Sequence, residues 1–153
     1  MLRAAAAILG IATPPALAQG VAGPEARLDI LVGRSAALHV GAALGLRTGL
    51  YVRPTVVVAA GPAWQNDTAR VSGRVEALAR FVLDPFRESQ VGMYAQGGLT
   101  ALYDPWDRWR VALSVAVGAE LPARAGGVWA VEVGLGGGVR FGLALRRAAP
   151  GRR

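Results

Sequence analysis

Apolar and polar residues alternate along residues 69–83, and this alternation constrains the fold more than any other feature of the sequence. Odd positions such as Val71 and Val75 are apolar or small, whereas most even positions, among them Arg70 and Arg74, are charged or polar. Successive side chains of a strand point to opposite faces of a sheet, so a period of two residues predicts a β-strand. No stretch of the chain sustains the period of about 3.6 residues that an amphipathic helix requires.

The same alternation recurs on both sides of this segment, and turn signals rich in Gly, Pro, Asn, Asp or Ser separate the segments. The seven signals are Gly33-Arg34-Ser35, Thr48-Gly49, Gln65-Asn66-Asp67, residues 84–89, residues 104–107, residues 122–127 and residues 136–138. Seven turns predict about eight strands, in an all-β, antiparallel up-and-down barrel or a sandwich, and we expect the barrel. The last segment, residues 129–145, fits either two strands or one long strand.

Both ends of the chain are predicted to lie outside the barrel. Residues 1–18 have the pattern of a signal peptide, because Arg3 precedes an uncharged apolar stretch and Ala16-Leu17-Ala18 is a small-x-small cleavage site. Residues 19–147 then form the β-barrel, and residues 148–153 form a disordered basic tail. The signal peptide predicts export from the cytoplasm.

The composition favours a membrane-embedded barrel. Hydrophobic residues make up 53% of the chain and charged residues 18%, whereas soluble domains average about 25% charged residues. The apolar runs of the predicted barrel are shorter than the roughly 20 residues that a spanning helix needs. In lipid, only a helix or a closed barrel satisfies all backbone groups, so we expect transmembrane β-strands in the outer membrane of the cell envelope.

The alternative is a soluble periplasmic barrel that binds a lipid or another apolar ligand. It requires the opposite orientation of the two strand faces. Leu113, Val115 and Val133 would then line an internal cavity, and Arg74 and Glu76 would face solvent.

Charged residues on the polar strand faces are predicted to form a ladder inside the barrel. Its members are Arg70, Arg74, Glu76, Arg80, Arg110, Glu120, Glu132 and Arg140. An eight-stranded barrel has room inside for side chains only, so we expect paired charges to plug the lumen. The functional alternative is an anion-favouring channel or a site for lipid phosphate.

Large aromatic residues lie at or near the predicted strand ends. They are Trp64, Phe86, Trp106, Trp109 and Trp129. Aromatic rings concentrate at the two interfaces of a membrane, so we expect these residues to anchor the barrel there.

The whole segment 19–147 resembles the small eight-stranded outer-membrane barrels of the OmpA-transmembrane-domain and OmpX-like class. The resemblance is one of architecture and strand pattern, without a shared motif. It implies an up-and-down barrel in the outer membrane with a structural or surface role. The chain departs from the class where the last strand runs into Arg146-Arg147 instead of ending on an aromatic residue.

Few residues suit catalysis or metal binding. The chain has no cysteine and a single histidine, His39, and it lacks a GxSxG nucleophile motif. Its ten carboxylates are scattered, and its 17 basic residues, all arginine, form no cluster. We therefore expect no enzymatic activity, no cofactor, no metal and no nucleic-acid partner. We expect the protein to be a monomer that contacts membrane lipid. An enzyme would need His39 beside a serine and a carboxylate at one mouth of the barrel.

Overall fold

The computed structural model describes residues 21–46, 48–49, 51–83, 91–106, 108–123 and 127–147. The predicted signal peptide, residues 1–18, and the predicted tail, residues 148–153, lie outside the described residues. Within these ranges, no helix has the length and apolar character needed to span a membrane.

Eight antiparallel strands form a closed barrel in which each strand pairs with its neighbours in sequence. The strands are β1 (Val21–Val32), β2 (Ala36–Leu46), β3 (Val52–Gln65), β4 (Thr68–Val82), β5 (Gly92–Asp104), β6 (Arg108–Pro122), β7 (Gly127–Leu135) and β8 (Val139–Arg147). β1 also pairs with β8, from Glu25 opposite Arg146 to Val32 opposite Val139, and this pairing closes the sheet. The predicted eight-stranded barrel is confirmed, and its last segment forms two strands.

The hairpins β1–β2, β3–β4, β5–β6 and β7–β8 all lie at one end of the barrel, which we call the hairpin end. The opposite, terminal end carries the start of β1 and the end of β8. Asn66 and Asp67 join β3 to β4 with φ angles of 48° and 59°, as a two-residue type I′ turn requires. In the β5–β6 turn, the backbone N–H of Trp106 donates to Asp104 Oδ1 at 3.0 Å, so the Asp side chain stabilises the turn.

The two faces of the sheet are sorted by polarity, with charged residues inside and apolar residues outside. Arg74 and Glu76 are buried in the lumen at 2% and 1% exposure. Leu113, Val115 and Val133 lie on the outer surface, and Leu113 is 76% exposed. The inward orientation of these three residues, which a soluble apolar-ligand barrel requires, is therefore not found.

The outer surface is apolar around the whole barrel. An exposed apolar side chain lies near the middle of every strand: Leu28, Val40, Val58, Val75, Leu99, Val115, Val133 and Phe141. The polar core and the apolar surface are the reverse of what a water-soluble domain shows.

Candidate functional site in the barrel lumen

Glu132 is the centre of the buried polar network. β7 turns its carboxylate into the lumen, where it is 1% exposed. Arg27 donates from both terminal nitrogens, Arg80 Nη2 lies 3.3 Å away and Arg140 Nη2 lies 3.4 Å away. Three guanidinium groups from three strands thus share one carboxylate.

Two neutral side chains of β5 complete the shell around this carboxylate. The Tyr94 hydroxyl donates to Glu132 Oε1, and Gln96 Nε2 donates to Glu132 Oε2 at 3.0 Å. The Arg80 guanidinium also lies over the Tyr94 ring, 4.5 Å from its centroid. A carboxylate with this many donors keeps its charge inside the protein, because hydrogen bonds replace the lost water.

Further ion pairs extend the network towards both ends of the lumen. Arg140 Nη1 contacts both Glu76 oxygens at 2.9 and 2.7 Å. Arg74 donates to Asp29, which lies on β1. Towards the terminal end, the Glu25 carboxylate accepts a hydrogen bond from Arg27 Nη1 at 2.8 Å. Both terminal nitrogens of Arg80 also donate to Glu25.

Charge is balanced within this network. Four arginines that are at most 2% exposed, Arg27, Arg74, Arg80 and Arg140, face four buried carboxylates, Glu25, Asp29, Glu76 and Glu132. A buried charge without a partner is strongly destabilising, so the equal numbers allow all eight to stay in the lumen. The arrangement fills the barrel with cross-strand ion pairs.

Five of the eight predicted ladder residues lie in the network: Arg74, Glu76, Arg80, Glu132 and Arg140. The other three lie closer to the barrel ends. Glu120 pairs with Arg146 at 2.8 Å at the terminal end. Arg110 donates to the backbone oxygen of Gly137 at 3.0 Å, and Arg70 is exposed, with its guanidinium 5.7 Å from the centroid of the Trp106 ring.

The ladder expected from sequence omitted residues of β1 that are essential to the network. Glu25, Arg27 and Asp29 alternate with apolar residues in β1 and are all buried. The alternation of these charged residues with apolar residues is a sequence signal that their side chains face the lumen. It gave no indication of partners, because Arg27 meets Glu132 only when β1 pairs with β8 and the barrel closes.

The predicted interface aromatics fall into two groups. Trp64 and Trp109 lie exposed at the hairpin end, and Trp129 lies exposed at the terminal end. Phe86 lies outside the described residues. Trp106 is half-buried and packs against an apolar cluster inside the hairpin-end mouth, formed by Leu31, Ala37, Ala63 and Leu102. Trp106 thus caps the lumen and does not join the outer ring of aromatics.

The hairpin-end mouth contains a small cavity of about 30 Å³, enough for about two water-sized groups. Loop residues of β1–β2 and β7–β8 line its rim. His39 and Ser72 line its inner part, with His39 Nε2 2.7 Å from Ser72 Oγ. An isolated His39 would remove the enzyme hypothesis, but His39 lies beside a serine.

The hydrogen bonds around this pair do not form a catalytic triad. Ser72 Oγ also lies 3.3 Å from the backbone oxygen of Gly61. If His39 Nε2–H donates to Ser72, the Ser72 hydroxyl donates to Gly61 and its proton is not directed at a base. Within the described residues, His39 Nδ1 has no hydrogen-bond partner, so no carboxylate orients the ring as in a triad.

No group of three His, Asp or Glu side chains in the described ranges is arranged to hold a metal ion.

Comparison with known proteins found no family and no curated protein that matches the chain.

We expect Gly118→Ala to destabilise the barrel by about 1–3 kcal/mol, as overpacking does in a filled core. A Cβ at Gly118 would overlap the end of the Tyr94 ring. That ring is 2% exposed and hydrogen-bonded to Glu132, so it cannot move without breaking the network. Denaturant unfolding of the two proteins measures the difference.

Gly97→Ala is the matched control, because a Cβ there would meet only Ser114 O at an ordinary 3.7 Å. Similar losses in the two variants would show that the Tyr94–Gly118 contact contributes nothing specific.

Proposed function

We propose that this chain is an outer-membrane β-barrel with a structural or surface role, no enzymatic activity and a lumen plugged by Arg and Glu or Asp pairs. The observation that carries the proposal is the reversed polarity of the barrel. Apolar side chains are exposed on all eight strands, while five arginines are buried inside. Soluble monomers rarely expose more than a few hundred Å² of contiguous apolar surface.

Strand lengths and aromatic positions support a membrane location. The strands have 9 to 15 residues, and about 9–11 residues of tilted strand cross a bilayer. Exposed aromatics occur at both ends, with Trp64, Tyr103 and Trp109 at the hairpin end. At the terminal end, the exposed aromatics are Tyr51, Phe81 and Trp129. Two girdles of aromatic residues, one on each side of an apolar band, are typical of membrane barrels.

The filled lumen and the short hairpins support a structural role. Ion pairs from opposite walls meet across the interior, as Arg140 of β8 meets Glu76 of β4, so no open path for ions is expected. The β3–β4 connection has two residues, and the β1–β2 and β7–β8 connections have three each. Receptor barrels usually carry specificity in long outer loops, so we expect no large external binding surface.

Cell fractionation combined with heat-modifiability tests this proposal. We expect the protein in the outer-membrane fraction, and we expect the unboiled, folded barrel to migrate differently from the boiled chain on a denaturing gel. A protein recovered in the soluble periplasmic fraction, with identical mobility before and after boiling, would instead favour the soluble barrel. Planar-bilayer recordings with stable conductance would contradict the plug.

A further inference from the structure

We propose that the hairpin-end mouth is a binding site for inorganic phosphate or another oxyanion that carries an ionisable hydroxyl. The site comprises the cavity bordered by Arg34, Arg110, Asp104, His39 and Ser72. It lies at the opposite end of the lumen from the Glu25–Arg80 pairs. It does not depend on whether lipid or water surrounds the barrel wall.

Positive charge from several hairpins converges on this mouth. Its connections and adjoining strand ends carry four arginines, Arg34, Arg70, Arg108 and Arg110, and, among the described residues, two carboxylates, Asp67 and Asp104. Within the part of the chain that the structure describes, Arg70, Arg108 and Arg110 form no ion pair with a carboxylate. These three therefore differ from the four lumen arginines, which are all neutralised by carboxylates. Guanidinium groups match oxyanion geometry closely, so this end of the barrel favours an anion.

Two side chains that line the cavity each have a nitrogen whose hydrogen-bonding capacity is unused. Arg110 donates from Nη2 to Gly137 O, but its buried Nε has no partner among the described residues. His39 is 1% exposed and its Nδ1 likewise has no partner there. Buried polar groups are almost always hydrogen-bonded, so His39 and Arg110 each keep hydrogen-bonding capacity that a small rotation of the side chain would offer to a ligand in the cavity.

Asp104 narrows the chemistry of the occupant. Its carboxylate also borders the cavity, and Oδ1 already accepts the Trp106 N–H. An ionised carboxylate can only accept hydrogen bonds. A ligand must therefore present anionic oxygens to Arg110 and a hydroxyl to Asp104. Monohydrogen phosphate does both, whereas sulfate at neutral pH has no hydrogen to donate.

The size and place of the cavity favour free phosphate over a membrane lipid. About 30 Å³ would hold about two oxygens of one phosphate, with the others at the open mouth, and leaves no room for a hydrocarbon chain. Its walls are Gly33, Ser35, Gly137 and Gly138 of two hairpins, together with inward-facing residues of the barrel. A lipid headgroup beside the barrel would have to cross these hairpins to reach Arg110.

The experiment is a titration of the ¹⁵N-labelled full chain, folded in zwitterionic nanodiscs, with inorganic phosphate and separately with sulfate. We expect saturable shifts of the Gly33, Ser35 and Gly137 amides with phosphate and at least about tenfold weaker binding of sulfate, the equivalent of about 1.4 kcal/mol. Nanodiscs containing phosphatidic acid, with no free phosphate, supply the lipid phosphomonoester and should leave these amides unshifted. If the chain folds in buffer without lipid, the outer-membrane proposal fails, but the same titration still tests this site.

Arg110→Gln and Asp104→Asn separate the roles of the two side chains. We expect Arg110→Gln to weaken phosphate binding about tenfold or more, and Arg53→Gln at the terminal end to leave it unchanged. Asp104→Asn keeps the acceptor for Trp106 N–H and should reduce the preference for phosphate over sulfate. No saturable phosphate shift, equal binding of sulfate, shifts produced by phosphatidic acid alone, or unchanged affinity in a folded Arg110→Gln variant would each overturn the proposal.

Discussion

Replacing Glu132 with Gln is expected to lower the free energy of unfolding by about 3–5 kcal/mol, as does removal of one partner from a buried ion pair. The substitution keeps the side-chain size, so packing changes little. It removes the one carboxylate among the described residues that Arg27, Arg80 and Arg140 all contact. It also places an NH₂ donor among groups that are themselves donors. Urea unfolding of the folded barrel, followed by gel mobility, measures the loss.

Glu120→Gln is the matched control for this substitution. Glu120 is part of a single pair at the terminal end, with Arg146 Nη2 at 2.8 Å, and its side chain is 15% exposed. Water screens such a pair, so we expect a loss of at most about 1 kcal/mol. Equal losses in the two variants would show that the Glu132 network contributes no more than a rim ion pair.

Val115→Arg is expected to destabilise the barrel by about 2–4 kcal/mol, the cost of an arginine on the lipid face near the bilayer midplane. Val115 lies at the middle of β6 with its side chain 59% exposed. In water, an exposed arginine at this position would have almost no effect on stability. The substitution therefore distinguishes lipid from water around the barrel, and unfolding from lipid vesicles measures its effect.

Leu121→Arg provides the control on the same strand. Leu121 is also exposed and lies at the terminal end of β6. An arginine near the interface costs only about 0–1 kcal/mol. A small effect at both positions would contradict a lipid-facing outer surface, whereas a large effect at both would indicate local damage to β6.

The strands could be predicted from sequence because their signal is local. The alternation in residues 69–83 and the Asn66-Asp67 turn depend only on neighbouring residues, and both appear in the structure as expected. The turn at residues 136–138 resolves the last segment into β7 and β8 for the same reason. Closure and the inward direction of the polar face followed from the composition of the whole chain.

The partners of the charged residues could not be predicted, because they depend on register and curvature. Arg70 and Arg74 have the same parity on β4, yet Arg74 is buried and Arg70 lies beyond the end of the lumen. Trp106 lies within the β5–β6 turn, where strand parity does not apply, and it packs inwards. The proximity of His39 to Ser72 likewise arises only when β2, β3 and β4 are aligned.

Single-cysteine labelling in native membranes tests the central claim most directly, because the natural chain contains no cysteine and each thiol is unique. We compare Val115→Cys, on the outer apolar band, with Gly49→Cys, at an exposed turn where an added side chain meets open space. A charged, membrane-impermeant maleimide should label the Gly49→Cys thiol rapidly in opened membranes and label the Val115→Cys thiol only after denaturation. Equally rapid labelling of both thiols in the folded protein would show that water covers the outer surface, and would contradict a membrane-embedded barrel.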